Sequence, residues 1–152
     1  MADKFKYKKD FSVEIDKIIA NTKEKMFAVF KDSFQDLVEE ASRPEKKGGK
    51  MRVDTGFLRS TGCGALNAIP QGESEGRKRL PGEIGVLSEY ANYDFKSSLQ
   101  SLLIEMKPED KIYWGWSANY AKYRELYDGF IASACQNWKK YIEKNTRRLK
   151  DE

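Results

Sequence analysis

Residues Phe11, Ile15, Ile18, Ile19, Thr22, Met26, Val29, Phe30, Phe34, Leu37 and Val38 recur in steps of three and four, the period of one apolar helix face. The spacing predicts a helix from about Ser12, a residue able to cap it, to Ala41, with Pro44 marking its end. At ~1.5 Å per residue such a helix reaches roughly 45 Å, longer than a compact domain of this size is wide. Part of its stripe is therefore expected to face another subunit. The charged residues before it, 1–11, read as a mobile lead-in.

After the turn-rich middle the pattern changes from helical to alternating. Gly64 to Ile69 reads as a strand, Pro70 to Gly82 as an exposed loop, and Ile84 to Leu87 as a second short strand. A hairpin is expected from Leu99 to Met106, a turn at Lys107-Pro108-Glu109-Asp110, and a strand from Lys111 to Trp116. Leu102, Ile104 and Met106 would then share one face, as would Ile112, Trp114 and Trp116, and the long helix would cover that face. A last helix, Gly129 to Leu149, carries Ile131, Ala134, Cys135, Trp138, Tyr141, Ile142 and Leu149 on one side. Lys144, Arg147, Arg148 and Lys150 crowd its end, where cations complement the helix dipole. The class expected is α+β, a long N-terminal helix and a C-terminal helix packed on a small, mainly antiparallel sheet, with residues 1–152 forming one domain.

Composition mainly excludes. The chain has 152 residues, 34% of them charged and 39% hydrophobic, an ordinary soluble balance. No apolar run approaches the ~20 residues of a membrane-spanning helix, and Met1 to Lys9 holds no apolar signal core, so use in a cytoplasm, or in a particle assembled there, is expected. The absence of histidine removes Ser-His-Asp and Cys-His catalysis and most zinc sites. Two cysteines, Cys63 and Cys135, are too few for a disulfide framework and read as free thiols. Cys63 lies between Gly62 and Gly64, but nothing adjacent would lower its pKa. Glu39, Glu40, Glu73 and Glu75 offer no more carboxylate chemistry than any acidic surface. Neither catalysis nor a cofactor is expected.

Two basic stretches remain, Lys46, Lys47, Lys50 and Arg52, and then Arg77, Lys78 and Arg79. Gly48-Gly49-Lys50 is no phosphate loop, because the pattern needs a glycine where Pro44 stands. Contact with a DNA backbone is the competing use of these cations. It is not favoured, since 24 acidic residues are interleaved with 28 basic ones. Tyr113-Trp114-Gly115-Trp116 could stack bases but reads better as strand core.

Between the two kinds of pattern lies Val53-Asp54-Thr55-Gly56-Phe57-Leu58-Arg59-Ser60-Thr61-Gly62. On chemistry alone it is a helix-to-strand connector, in which Asp54 and Thr55 cap a short turn, Gly56 permits a tight backbone, Phe57 and Leu58 anchor it, and Arg59 points outward or meets a carboxylate. The segment also resembles the Val-Asp-Thr-Gly-x-Leu-Arg element of a family of small tail-completion, or neck, proteins of long-tailed bacteriophages. Asn119-Tyr120-Ala121-Lys122-Tyr123-Arg124-Glu125 is similar to that family's Tyr-Ala-x-Tyr-x-Glu element. Gly129-Phe130-Ile131-Ala132-Ser133-Ala134 is similar to the opening of its last helix. Where family members carry a Gly-Thr pair and a Pro between these elements, this chain has Leu126-Tyr127-Asp128.

The resemblance implies a structural virion protein, bound in several copies as a ring near the head-to-tail joint and touching other tail or connector proteins. A tail-terminator ring is the related alternative, and a nucleic-acid-binding accessory protein the alternative of another class. Phe57, Leu58, Tyr120 and Tyr123 are expected to define the fold, and Arg59 and Glu125 to form an ion pair. Lys46 to Arg52, Arg77 to Arg79 and the spare helix stripe are the expected assembly surfaces.

Overall fold

The long stripe folds as one helix, α1 (Ala2–Ala41), in a computed structural model of the chain. Side chains are described for residues 11–152, so apart from Phe11 the lead-in expected over 1–11 lies outside the described residues. Ser12 does not cap α1, which runs straight through it. The C-terminal end falls at Ala41, as Pro44 requires.

The sheet is a two-stranded antiparallel ribbon of β1 (Gly62–Leu66) and β2 (Ile112–Trp116). The first strand begins and ends earlier than the sequence suggests. Asn67, at φ 61°, turns the chain out of it, and its amide side chain holds Asp110 and the Lys111 N–H at 3.0 Å each. The register sets Gly62 against Trp116 and Gly64 against Trp114, so the two indoles on one face of β2 lie beside bare glycines.

The expected hairpin is not formed. Residues 99–105 belong to a helix, α4 (Phe95–Glu105), capped by the Asp94 carboxylate, which accepts from the Ser97 N–H at 3.3 Å. Phe95, Leu99, Leu103 and Met106 are buried at helical spacing, while Ile104 is 82% exposed, which shows that the period is three to four and not two. The turn at 107–110 does form, with the Asp110 N–H donating to the Lys107 carbonyl at 3.0 Å. It joins α4 to β2 instead of two strands. Residues 84–87 form no strand either: Ile84 is open to solvent, and buried Leu87 donates its N–H to the Thr55 carbonyl at 2.9 Å just before a short helix, α3 (Ser88–Ala91).

After β2 come α5 (Ala121–Asp128), α6 (Phe130–Gln136) and α7 (Trp138–Asp151). The single final helix expected over 129–149 is thus broken at Asn137, whose side chain donates back to the Ser133 carbonyl at 3.2 Å. Cys135, expected on the apolar stripe, is exposed instead.

Two apolar clusters hold these elements. In the first, Val38 of α1 meets Phe95, Leu99, Leu103 and Met106 around α4, with Ile112 and Trp114 packed against them. The second gathers Met51, Phe57, Leu58, Ala118 and Phe130, with Trp116 packed against it. Helix α7 lies along α1, where Trp138 meets Phe30 edge-on at 5.9 Å. Buried Asn145 donates to Ser33 at 3.1 Å and to Asp36 at 2.9 Å. Lys144 pairs with Asp36 at 3.0 Å and Arg148 with Asp32, so the basic end of α7 is answered by acids of α1.

A Cβ at Gly64 would lie 2.5 Å from Trp114 Cε3 and 2.8 Å from the Tyr113 carbonyl oxygen. Gly64→Ala should therefore cost about 1–3 kcal/mol in denaturant unfolding. Gly115→Ala, where nothing stands within 4 Å, should stay within about 0.5 kcal/mol of the parent. Equal effects of the two would contradict the packing of the ribbon.

Candidate functional site

The segment Val53 to Gly62 bends at Gly56, whose φ of 88° suits a residue without a side chain, and then makes one helical turn, α2 (Phe57–Ser60). Thr55 Oγ1 accepts from the Phe57 N–H at 3.3 Å, a local hold of the expected kind. Asp54 does not cap the turn and instead accepts from Arg79 at 2.6 Å. Phe57 and Leu58 are buried as expected. Arg59 turns inward, neither to solvent nor to a carboxylate: its Nε donates to the Ser42 carbonyl at 3.0 Å and its guanidinium covers the Phe95 ring at 5.4 Å. It thereby ties the end of α1 to the start of α4. Thr61 closes the segment by accepting from Ala118 and Ser117 N–H groups at 3.2 Å.

Phe57 is the centre of this region. Tyr90 of α3 stands 5.3 Å from its ring and Tyr120 6.1 Å. A Cβ on Gly76 would come within 2.7 Å of it, so the loop after β1 crosses directly over the ring. That loop is pinned by Ser74, which donates its N–H to Ser117 O at 2.7 Å and shares a hydroxyl hydrogen bond with Ser117 at 2.8 Å.

The segment is also a partition. On one side is a cleft of about 460 Å³, walled by Arg52 to Arg59, Gly76 to Arg79, Tyr120 and Arg124. On the other side a cleft of about 500 Å³ runs beside Lys46, Lys47, Val86 and Tyr90. The Lys46 to Arg52 stretch between is less loose than its glycines suggest, because Pro44 and Met51 pair across it and Gly49 N–H donates to the Pro44 carbonyl at 3.0 Å.

The basic residues divide into two groups. Arg77 grips Glu83 with two hydrogen bonds, at 2.7 and 2.8 Å, and reaches Glu89 at 2.6 Å, while Arg79 is taken by Asp54. These two arginines brace the loop. Lys46, Lys47, Lys50, Arg52 and Lys78 are exposed and make no ion pair among the described residues. Sequence reasoning missed the brace, although Glu83 and Glu89 stand six and twelve residues after Arg77, in a loop otherwise rich in cations. It also missed the packing of Tyr90 against Phe57.

The three stretches that carry the family resemblance come together here. Val53, Phe57, Leu58, Ala121, Phe130 and Ile131 belong to one apolar cluster, closed by Trp116 edge-on to Phe130 at 5.1 Å. No family model, curated protein or solved structure matches this chain. Two expectations inside the region need correction. Glu125 does not pair with Arg59; its carboxylate accepts from the Ile131 and Ala132 N–H groups at 2.8 and 2.9 Å, capping α6 across the bend at Gly129. Tyr123 is 61% exposed and anchors nothing in the core. Leu126, Tyr127 and Asp128 continue α5 as helix instead of a loop, leaving Leu126 and Tyr127 open beside Tyr123.

Burial pushes the Cys63 thiol up, away from the thiolate, and raises the Tyr93 phenol to about 12, beside the Gly62 carbonyl to which it donates. No three His, Cys, Asp or Glu side chains are grouped to hold a metal among the described residues. No described helix is long and apolar enough to cross a membrane.

Hydrogen bonds from Arg77 and from the Leu80 N–H hold the Glu83 carboxyl at about 2, against its ordinary 4.5. A depressed acid stabilises the fold above its unfolded pKa and loses that contribution as pH falls through the folded one. The contribution of Glu83 should thus persist at pH 4.5 and vanish near 2, read as its carboxyl carbon shift by NMR; a midpoint near 4.5 would mean the brace is absent in solution. Glu125→Ala frees two N–H groups at the start of α6 and should cost about 1–2 kcal/mol, with faster amide exchange at Ile131 and Ala132. Unchanged exchange there would exclude the cap.

Proposed function

We propose that this chain is a structural component of a bacteriophage particle, a tail-completion or neck protein acting in tail assembly and head-to-tail joining. The observation that supports the reading most is the meeting of its three family-like stretches in one cluster around Phe57 and Phe130. Residues far apart in sequence that resemble one family in order also cooperate in space, as parts of one inherited design would. The reading gives the protein no chemistry to perform. Its action is shape recognition: a braced frame presents the clefts on either side of the Val53 to Gly62 partition to neighbouring proteins, and the unpaired lysines at their rims meet acidic surfaces.

Carboxylate partners already held by Arg77 and Arg79 make those two cations poorer contacts for phosphates, which weighs against a nucleic-acid role for that loop. The deciding experiment is electron microscopy of a lysate from the parent phage carrying an early stop codon in this gene, with and without the wild-type gene on a plasmid. Filled heads beside unattached tails, rescued by the plasmid, are the expected result. Normally joined virions would overturn the reading. A lysate with tails of uncontrolled length would point to the tail-terminator alternative.

A further inference from the structure

Helix α7 flanks the stripe of α1 as far back as Thr22, across an open groove that Lys150 and Glu152 also line. Along this stripe Phe11, Ile15, Ile18, Ile19 and Met26 stand between 39% and 67% exposed. That leaves roughly 500 Å² of contiguous apolar side chain on each molecule, against ~800 Å² per partner in a standard interface. The stripe runs without a break into an open groove of about 820 Å³ whose walls are Met26, Val29 and Phe30 of α1 and Trp138, Ile142 and Leu149 of α7.

We propose that a second copy of this chain covers this face, the two α1 helices lying antiparallel about a two-fold axis near Ala20 and Asn21. Two features of the sequence select this occupant. Six positions of the stripe, Phe11, Ile15, Ile19, Thr22, Met26 and Phe30, are spaced four, four, three, four, four, a series that reads the same in both directions, while Ile18 and Val29 flank it without symmetric counterparts. Antiparallel overlap therefore sets Phe11 against the partner's Phe30, Ile15 against the partner's Met26 and Ile19 against the partner's Thr22. Each projecting end then enters the other copy's groove.

Charge fixes the direction. At ~100° per residue, Glu14 and Lys25 lie along one edge of the stripe and Asp16 and Lys23 along the other. None of the four is ion-paired among the described residues. An antiparallel two-fold brings like edges together with their order reversed, so Glu14 meets the partner's Lys25 and Asp16 the partner's Lys23. A parallel pair would oppose acid to acid and lysine to lysine. The self-pairing goes beyond the virion reading and does not depend on it.

Sedimentation equilibrium of the purified chain, from low micromolar to about 100 μM, should give a dimer mass. Ile19→Glu, at an exposed position, should weaken the dimer at least tenfold with unchanged helicity by circular dichroism. Lys23→Glu with Lys25→Glu should weaken it by about tenfold. Adding Glu14→Lys and Asp16→Lys to that same chain should restore it, an outcome that neither unfolding nor a parallel pair would give. A monomer throughout the range, a closed assembly larger than two, or failure of the fourfold charge swap to rescue would each overturn the proposal.

Discussion

Two glycines on one strand hold the two cores of this protein together. Gly62 and Gly64 carry no side chain on the face where Trp116 and Trp114 cross, and each indole belongs to a different cluster, Trp114 to the one around α4 and Trp116 to the one around Phe130. A two-stranded ribbon is marginal by itself. Here it persists because each of its ends is sunk in a core, and because α4 covers the strand whose bare face admits the rings. Among the described residues the indole Nε1 atoms of both tryptophans find no hydrogen-bond partner. The ribbon thus accepts an unsatisfied polar group at each ring in exchange for large apolar contact.

The remaining architecture follows from that coupling. Arg59 links α1 and α4 from within the partition, and Glu125 links α5 to α6 across the bend at Gly129. Charged side chains at the motif residues therefore work as internal ties. Cations left at the rims belong to Lys46, Lys47, Lys50, Arg52 and Lys78. Such a division leaves a frame held by internal bonds, with solvated charge outside that can meet a complementary surface without first breaking a bond in the frame.

Much of this was legible in the chain. Helix α1 was fixed by eleven positions at one period, the α+β class by the change of pattern after it, and β2 by its aromatic run. What failed had local causes. Leu102, Ile104 and Met106 fit an alternating strand as well as Leu99, Leu103 and Met106 fit a helix, and the Asp94 to Ser97 cap that decides between them lies outside the apolar run. The break at Asn137 depends on one amide side chain folding back on its own backbone. Arg59 was misassigned because a guanidinium seeks carbonyls and ring faces as readily as carboxylates, and Ser42 and Phe95 are its neighbours only after folding. Glu125 was misread for the same reason, its partners being backbone N–H groups that no composition reveals.

Asn145 also sets a register. It is the buried polar residue of the α1 and α7 seam, and its partners Ser33 and Asp36 sit one turn apart on α1. Sliding α7 by one turn, ~5.4 Å, would take that amide away from Ser33 and Asp36 and would pull Lys144 and Arg148 off their acids. The seam therefore has one register. A single amide acts as the ruler against which α7 is set along α1.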